Sequence, residues 1–431
     1  MKNEHYERHP NLTDIIGRMS DNSKKRRLIF NKFDFIPFEE LCSFLVGGEM
    51  FNLLIVSKEI RVKVYKAGSC HAVVNSFEIG ERLMATFPKI SLHAPNSLKN
   101  INDLQLITLP RLTELSLCNS YYSQKTITDH SLKYLTNLTR LHFWLNVFSG
   151  DGLTHLRKIK SLSLYYNSSV KDVHMKGLTT LTELSLADCP ISDLGLSYLP
   201  NLKRLNLENF WRNSITGIGL QALTQLTSLS LQYINNIAEI DLIRLTNLRS
   251  LEMRKCNLIN DFLSSMTFLE KLTIRDHIDR GDMSFRKFNR LTSLEIIYND
   301  TLSGKGLGYL TNLKHLVLRD TKLQGKYLRN LTNITNLEIG SNYKIEPKHL
   351  INLSSVRTLV LYLNKTIDDE MVQALKNVHV IKIVCNHKDD FAITLDAFRL
   401  LNKLKTVIVR NQFPIRYKKL FNERGIELLR Y

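Results

Sequence analysis

Aliphatic residues recur along the chain in one pattern, seen most clearly over residues 181–191 as L-x-x-L-x-L-x-x-C-x-I. With Leu184 as the marker, equivalent residues recur between residues 90 and 407 at intervals of 21 to 26 residues. Leu184 and Leu186 alternate with polar residues, which is typical of a short strand with one buried face. A single unit cannot bury these leucines, but stacked units can, with strands about 4.8 Å apart. The pattern therefore predicts an array of short strands lying side by side.

A second regularity follows the strands. Residues 191–199 match 215–223, 237–245, 302–310 and 367–375, and their apolar spacing predicts a short helix or helical turn. This return segment is expected on the convex side of the array.

The period and the pattern resemble the leucine-rich repeat. The resemblance implies an α/β fold, a curved, right-handed solenoid of about fifteen units over residues 87–412. In that family, side chains at the turn after each strand form a ladder of hydrogen bonds to buried backbone groups of neighbouring units. The ladder position is held here by Asn146, Asn167, Cys189, Cys256, Asn299, Asn342, Asn364 and Asn386.

Residues 33–65 do not follow the repeat. Pro37 precedes two acidic residues, which suits a first helical turn. Leu41 and Leu45 share one helix face, and Leu53 and Val56 fall in a second helix. This segment resembles the F-box, which implies that these five residues face a Skp-type adaptor or pack the module.

The F-box resemblance has two departures. The first helix is about one turn short, and Ile60 stands where the family usually has tryptophan. The alternative interpretation is a small helical cap that shields the first repeat.

The remaining boundaries follow from composition. Residues 1–32 are predicted to be a basic, disordered leader, 66–86 a connecting helix, and 413–431 a C-terminal cap made of a helix, a glycine and a strand. Residues 24–27 are all basic, as in a nuclear import signal or a solvated flank. No apolar run approaches the length of a membrane span, and the first residues lack a secretory core. An intracellular location, cytoplasmic or nuclear, is therefore expected.

The net charge of +18 favours an anionic partner or surface. The charge is spread along the chain rather than clustered, so nucleic-acid binding is the less favoured interpretation. None of the six cysteines forms a CxxC pair, which predicts reduced thiols. Triplets such as Asn137-Leu-Thr139 are interpreted as products of the repeat.

The sequence has no motif of catalysis, metal binding or phosphate binding, so no cofactor is expected. The predicted concave face is more informative, because aromatic and arginine residues alternate there with the strand leucines. Such residues are frequent anchors of protein interfaces. The candidate partner-binding residues are Trp144, Tyr165, Tyr166, Tyr233, Arg254, Arg275, Tyr298, Arg319 and Tyr362.

Taken with the F-box resemblance, this face implies a non-enzymatic substrate receptor of a cullin-type ubiquitin ligase, with the substrate held by the repeats. The alternatives are a plain scaffold for protein interactions, or a basic binder of nucleic acid or anionic surfaces. Glu252, Glu295 and Glu338 lie beside the arginines and favour a protein over a nucleic-acid backbone. A solvated face with internally paired charges remains open at this point.

Overall fold

The computed structural model describes residues 71–74, 76–86, 91–94, 101–118, 127–144, 148–208, 214–256, 263, 266–276, 285–362, 367–384, 393–409 and 416–430. The predicted leader and the F-box-like module, with Pro37, Leu41, Leu45, Leu53 and Val56, lie outside these residues. The chain divides into an N-terminal unit, Met1–Ser169, and a C-terminal unit, Val170–Tyr431.

The N-terminal unit contains parallel strands that pair in chain order. They are β1 (His71–Val73), β2 (Ser91–Ala94), β3 (Leu112–Cys118), β4 (Arg140–Trp144) and β5 (Ser161–Tyr165). The helices between them are α1 (Phe77–Thr86), α2 (Asp103–Ile107) and α3 (Asp129–Leu132), followed by a 3₁₀ turn at Asp151–His155.

Strands of the C-terminal unit also pair in parallel, each with the next in the chain. They are β6 (Glu183–Ala187), β7 (Arg204–Glu208), β8 (Ser228–Gln232), β9 (Ser250–Arg254), β10 (Lys271–Arg275), β11 (Ser293–Asn299), β12 (His315–Thr321), β13 (Asn336–Gly340), β14 (Thr358–Tyr362), β15 (Val380–Val384), β16 (Thr406–Val409) and β17 (Glu427–Arg430).

Short helices or 3₁₀ turns return the chain between these strands. The helices are α4 (Asp172–Met175), α5 (Asp193–Ser197), α6 (Gly217–Gln221), α7 (Glu239–Ile243), α8 (Pro347–Leu350), α9 (Asp369–Gln373), α10 (Asp396–Arg399) and α11 (Arg416–Glu423). The 3₁₀ turns are Phe285–Lys287, Leu307–Tyr309 and Gly325–Leu328. The predicted leucine-rich repeat solenoid is confirmed.

The repeated leucines form the core. Leu184 and Leu186 are buried on one face of β6, and Leu181 is buried beneath the preceding turn. Leu184 pairs in register with Leu205 of β7, so each leucine packs against its equivalent in the next repeat. Full burial of such a side chain stabilises the fold by about 1.5–3 kcal/mol. The strands form because the alternation places the apolar side chains on one face, where they are buried. They are short because the chain must turn back after each one.

Helix starts are locked to the helix of the preceding repeat. The Ser192 amide and hydroxyl donate to the Asp172 carboxylate, at 2.8 and 2.5 Å. In the next repeat, the Thr216 amide and hydroxyl donate to Asp193 in the same way, at 2.7 and 2.6 Å. Ser192 and Thr216 also cap their own helices, because each hydroxyl accepts from a backbone amide two residues later. Each aspartate therefore ties two repeats together.

Glycine is required where this carboxylate fits. A Cβ added at Gly219 would lie 2.3 Å from Asp193 Oδ1, and one at Gly195 would lie 2.4 Å from Asp172 Oδ1. In the short sequence S/T-x-x-G at these helix starts, the Ser or Thr binds the aspartate of the preceding repeat and the Gly leaves space for its carboxylate.

Asparagines ahead of the strands form a second set of contacts between repeats. The side-chain amide of each donates to a backbone carbonyl of the preceding repeat, at 2.7–3.0 Å in this series: Asn137 to Pro110, Asn201 to Thr179, Asn247 to Thr224, Asn312 to Asn289, Asn333 to Thr311, and Asn377 to Ser354. Thr139 donates to Thr113 O at 3.0 Å. The Asn137-Leu-Thr139 triplet therefore has a structural cause in the repeat.

One element differs from its prediction. Residues 66–86 were expected to form a connecting helix, but the helix covers only Phe77–Thr86, and His71–Val73 form β1. This strand pairs in parallel with β2, so the sheet begins ahead of residue 87. At the other end, α11, Gly425 with φ of +65°, and β17 follow in the predicted order. β17 pairs with β16 and covers its edge.

Candidate functional site

The parallel register brings the predicted partner-binding side chains onto the sheet face opposite the core. In the C-terminal unit, Arg254 pairs with Arg275, and Arg275 with Ile297. The same row continues through Arg319 and Gly340 to Tyr362. This exposed side of the strands is called the sheet face below.

Aromatic side chains cluster on the sheet face of the N-terminal unit. The rings of Trp144 and Tyr165 are stacked, with centroids 5.2 Å apart and planes inclined by 11°. Tyr166 lies against Trp144 at 5.9 Å, and His142 against Tyr165 at 5.1 Å. Burial lowers the pKa of His142, so the imidazole is neutral at pH 7. The cluster is an uncharged aromatic surface that suits an apolar or planar group of a partner.

A row of left-handed residues was not anticipated from the sequence. The residue just before the ladder position has a positive φ, between 47° and 58°, in this series: Tyr166, Asp188, Tyr233, Lys255, Asp276, Tyr298, Asp320 and Ser341. This conformation costs a non-glycine residue about 1–2 kcal/mol. Aspartate is often found in the left-handed conformation, and three of these residues are aspartates. Tyrosine and lysine are not typical of it, so these residues could not have been identified from the sequence. The conformation brings these side chains to the border of the sheet face; Tyr298 is 58% exposed there.

Each of the three candidate arginines is paired with carboxylates. Arg254 Nε lies 3.0 Å from Asp276 Oδ2. Arg275 lies between two glutamates, with Nη2 2.7 Å from Glu295 Oε2 and Nε 3.6 Å from Glu252 Oε1. Its side chain is only 16% exposed. The arginine stripe is therefore internally paired and held in a defined geometry.

Arg319 is fixed on two sides. Its Nε lies 3.0 Å from Glu338 Oε1, and its guanidinium lies over the Tyr362 ring, 4.3 Å from the centroid. The stack depends on Gly340, because a Cβ there would come within 2.5 Å of Tyr362 Cβ. Burial raises the pKa of Glu338 even though Arg319 opposes the shift.

The sheet face of the C-terminal unit is slightly acidic. Its described cations are Arg204, Arg254, Lys255, Lys271, Arg275, Arg319 and Lys382, and its described anions are Glu183, Asp188, Glu208, Glu252, Asp276, Glu295, Asp320, Glu338 and Glu427. Burial also raises the pKa of Glu208. The overall charge of +18 is thus not concentrated on this face.

Basic residues instead gather where the strands begin. Lys203, Arg249, Lys271, Lys314, Arg357 and Lys405 occupy the first strand position or the one before it. Glu183, Glu270 and Glu427 occupy equivalent positions, so this row is mixed in charge, and it lies at the strand starts, whereas the paired arginines lie toward the strand ends.

The ladder residues differ in what they contact. Asn342 is buried, donates to Leu318 O of the preceding strand at 2.7 Å and accepts from the Thr321 hydroxyl at 2.6 Å. Cys256 also reaches the preceding strand, with Sγ 3.4 Å from Leu231 O. Burial raises the pKa of this thiol.

Local bonds are present at three other described ladder positions. Asn299 accepts from the Leu302 amide at 3.0 Å, Asn167 from the Ser169 amide at 3.0 Å, and Cys189 Sγ donates to Ala187 O at 3.3 Å. Asn146, Asn364 and Asn386 lie outside the described residues.

Two structural features are absent from the described part of the chain. No helix there is long and apolar enough to cross a membrane. No group of three or more His, Cys, Asp or Glu residues there is arranged to hold a metal ion.

No protein-family model and no curated protein matches the chain. Similar solved structures include an internalin from Listeria monocytogenes, 23% identical over 71% of this chain and 88% of that chain, with a TM-score of 0.46. TLR13, in its complex with ssRNA13, is 20% identical over 92% of this chain and 59% of that chain, with a TM-score of 0.47. An LRR protein of Leptospira interrogans is 17% identical over 86% and 92%, with a TM-score of 0.44. Similarity at this level carries no inference about function.

Proposed function

We propose that the chain is a non-enzymatic scaffold that binds a protein partner on its sheet face. The observation that carries this proposal is the in-register row of Arg254, Arg275 and Arg319, each paired with carboxylates, with a tyrosine ring beside Arg254 and another beside Arg319. Ordered arginines and aromatic side chains lose little conformational entropy when a partner binds them. The internal pairing leaves no uncompensated positive stripe for a phosphate backbone.

The aromatic cluster of Trp144, Tyr165 and Tyr166, on the sheet face of the N-terminal unit, is proposed as a second, separate contact of apolar character. Stacked rings present a large contact area that is already ordered. Truncating such an aromatic anchor to alanine usually costs about 2–4 kcal/mol of binding free energy.

A photo-crosslinking amino acid in place of Tyr298 would identify the partner in cells, with the same substitution at Ile351 as the control. Ile351 is 61% exposed and lies at the end of α8, away from the strands. Affinity for the purified partner would then be measured by calorimetry for wild type, Trp144→Ala, Arg275→Glu and the control Lys348→Ala.

Arg275→Glu is expected to weaken binding at least tenfold, because it places three carboxylates together on the docking surface. Trp144→Ala is expected to weaken it about thirtyfold. Circular dichroism would verify that both variants fold. If Arg275→Glu does not fold, Arg254→Glu replaces it, because the Arg254 side chain is more exposed. Undiminished affinity in the folded variants would rule out the sheet face as the docking surface.

The more specific function is a substrate receptor of a cullin-type ubiquitin ligase. It is supported by the F-box-like sequence around Pro37, Leu41, Leu45, Leu53 and Val56, which lies outside the described residues. Purified full-length chain and a truncated chain starting near residue 66 would each be tested for capture of a Skp-type adaptor. Capture by the full-length chain alone would support the ligase function. Failure of both would assign residues 33–65 to a cap of a plain scaffold.

Binding to nucleic acid or an anionic surface is the competing function, and the basic residues at the strand starts favour it. Its affinity would fall steeply with added salt. Binding that persists at high salt and is lost in Trp144→Ala would exclude it.

A further inference from the structure

Four aliphatic side chains are exposed at the same position of four successive helices. Val173, Leu194, Ile218 and Ile240 each occupy the second residue of α4, α5, α6 and α7, and they are 63%, 55%, 74% and 55% exposed. A single exposed leucine is common in proteins, but a contiguous set marks an interaction surface. These four residues are named the aliphatic stripe.

Hydrogen bonds between the helices show that the stripe is continuous. The residue capping α5 binds Asp172, the first residue of α4, and the residue capping α6 binds Asp193, the first residue of α5. In the last pair, the start of α6 lies against α7, because a Cβ added at Gly217 would lie 1.8 Å from Asp241 Oδ2, and Asp241 also accepts a hydrogen bond from Gln221 of α6. Helix starts that are joined in this way bring their second residues side by side.

The stripe is confined to these helices. Lys348 and Glu370 hold the second position of α8 and α9, where the surface is charged. In the N-terminal unit, Leu104 is 76% exposed at the second position of α2, but His130 holds that position in the next helix, α3. Leu104 is therefore an isolated equivalent and a matched control.

Charge limits which partner fits. The charged residues within α4, α5, α6 and α7 are Asp172, Asp193, Glu239 and Asp241, whereas the caps of α4 and α7 add Lys171, Lys176 and Arg244, of which only Lys171 is at a helix start. This is a local excess of negative charge on a chain with a net charge of +18. A partner with basic residues beside its apolar contact is electrostatically complementary to it.

Area and length limit the partner further. The stripe consists of only four aliphatic side chains, each 55–74% exposed. A stable dimer needs about 800 Å² from each partner, so a second copy of this chain is a poor match. Four helices packed about 8–10 Å apart span about 24–30 Å, the length of an α-helix of about 18 residues.

We propose that the aliphatic stripe binds one amphipathic helix of a partner protein, with an apolar seam flanked by lysine or arginine. The partner helix crosses the starts of α4 to α7, and its seam residues contact the four aliphatic side chains in turn. This site is separate from the sheet face, so its test is independent of the proposed function.

Two labelled helical peptides of about 20 residues serve as probes. Both carry leucine at positions i, i+4, i+7, i+11, i+14 and i+18, a seam of about 27 Å, and one has lysine at the flanking positions and the other glutamate. Fluorescence anisotropy would measure their binding to the full-length chain, to the double variant Leu194→Lys/Ile218→Lys, and to the control Leu104→Lys. The milder pair Leu194→Ser/Ile218→Ser serves if the lysine variant does not fold.

The lysine-flanked peptide is expected to bind wild type at least tenfold more tightly than the glutamate-flanked peptide. The double variant should lose at least tenfold in affinity, and Leu104→Lys should stay within twofold of wild type. Absence of binding to wild type, or equal binding to the folded double variant, would overturn the proposal. So would a dimer in sedimentation experiments that the double variant abolishes, because the occupant would then be a second copy.

Discussion

Asp193 offers the sharpest test of how the repeats hold together. Its carboxylate accepts both the amide and the hydroxyl of Thr216, at 2.7 and 2.6 Å, and so joins α5 to the start of α6. A hydrogen bond to a charged group contributes about 1.5–3 kcal/mol, and the two bonds here share one partly exposed acceptor. Asp193→Ala is therefore expected to reduce the free energy of unfolding by about 2–3 kcal/mol.

Asp193→Asn should cost about 1 kcal/mol, because the amide keeps one acceptor oxygen but loses the charge. Asp396→Ala is the matched control. Asp396 is also the first residue of its helix, but its carboxylate makes an exposed ion pair with Arg399 at 3.0 Å. Such a pair contributes at most about 1 kcal/mol, so the control separates the contact between repeats from the effect of charge at a helix start.

Urea unfolding would give the free energies, and hydrogen exchange of the Thr216 amide would report the local effect. Asp193→Ala should increase exchange at Thr216, whereas Asp396→Ala should leave it unchanged. Equal losses of stability in the two variants would show that the bonds to Thr216 contribute nothing beyond the helix-start charge. The reasoning would then fail for every aspartate of this series.

Three further predictions concern single positions. Gly340→Ala should lower the free energy of unfolding by about 1–3 kcal/mol, measured by thermal unfolding, because the new Cβ would lie 2.5 Å from Tyr362 Cβ. Gly308→Ala is the control and should be nearly neutral, because its Cβ would have no neighbour closer than 3.3 Å. Equal effects of the two substitutions would contradict the prediction. Lys255→Gly should raise the free energy of unfolding in urea by up to about 1 kcal/mol, because φ is +50° at this residue, and a lowered free energy of unfolding would count against strain. His349 is buried, and its Nδ1 accepts from the Glu346 amide at 3.0 Å. Burial lowers the pKa of His349 from 6.5, so the neutral ring contributes fully to the free energy of unfolding above about pH 6.5, and this contribution is lost as pH falls toward the folded-state pKa. His349→Gln should therefore lose less stability than wild type between pH 7.5 and pH 5. The same pH profile in the variant and in wild type would refute the assignment.

The arginine row shows why charge counted along the chain misjudges a surface. Arg275 belongs to a chain of net charge +18, yet it lies between Glu252 and Glu295. These residues are 20 or more positions apart in sequence, and only the strand register brings them within 4 Å of one another. The interpretation left open by the sequence, free or paired arginines, is decided by that register in favour of pairing.

The repeat itself was readable from the sequence. The leucines of β6 and β7 alternate with polar residues, and this local property depends only on which side chains one strand must bury. The segment 191–199 likewise showed its helix through apolar spacing, and α5 lies within it. The short strand β1 was missed because His71–Val73 carries no leucine pattern and is ordered by pairing with β2.

Contacts between repeats required the tertiary structure. The sequence shows that Asp193 and Thr216 recur, but not that one binds the other, since this depends on the stacking distance and on space left by Gly219. The positive φ of Tyr298 and the stack of Arg319 on Tyr362 depend on how each strand ends beside its neighbours. The aliphatic stripe is of the same kind, because each member is an ordinary exposed residue in its own repeat. Periodicity along the chain determined the strands and their core, whereas the surfaces available for binding were decided only when the repeats stacked and neighbouring side chains met.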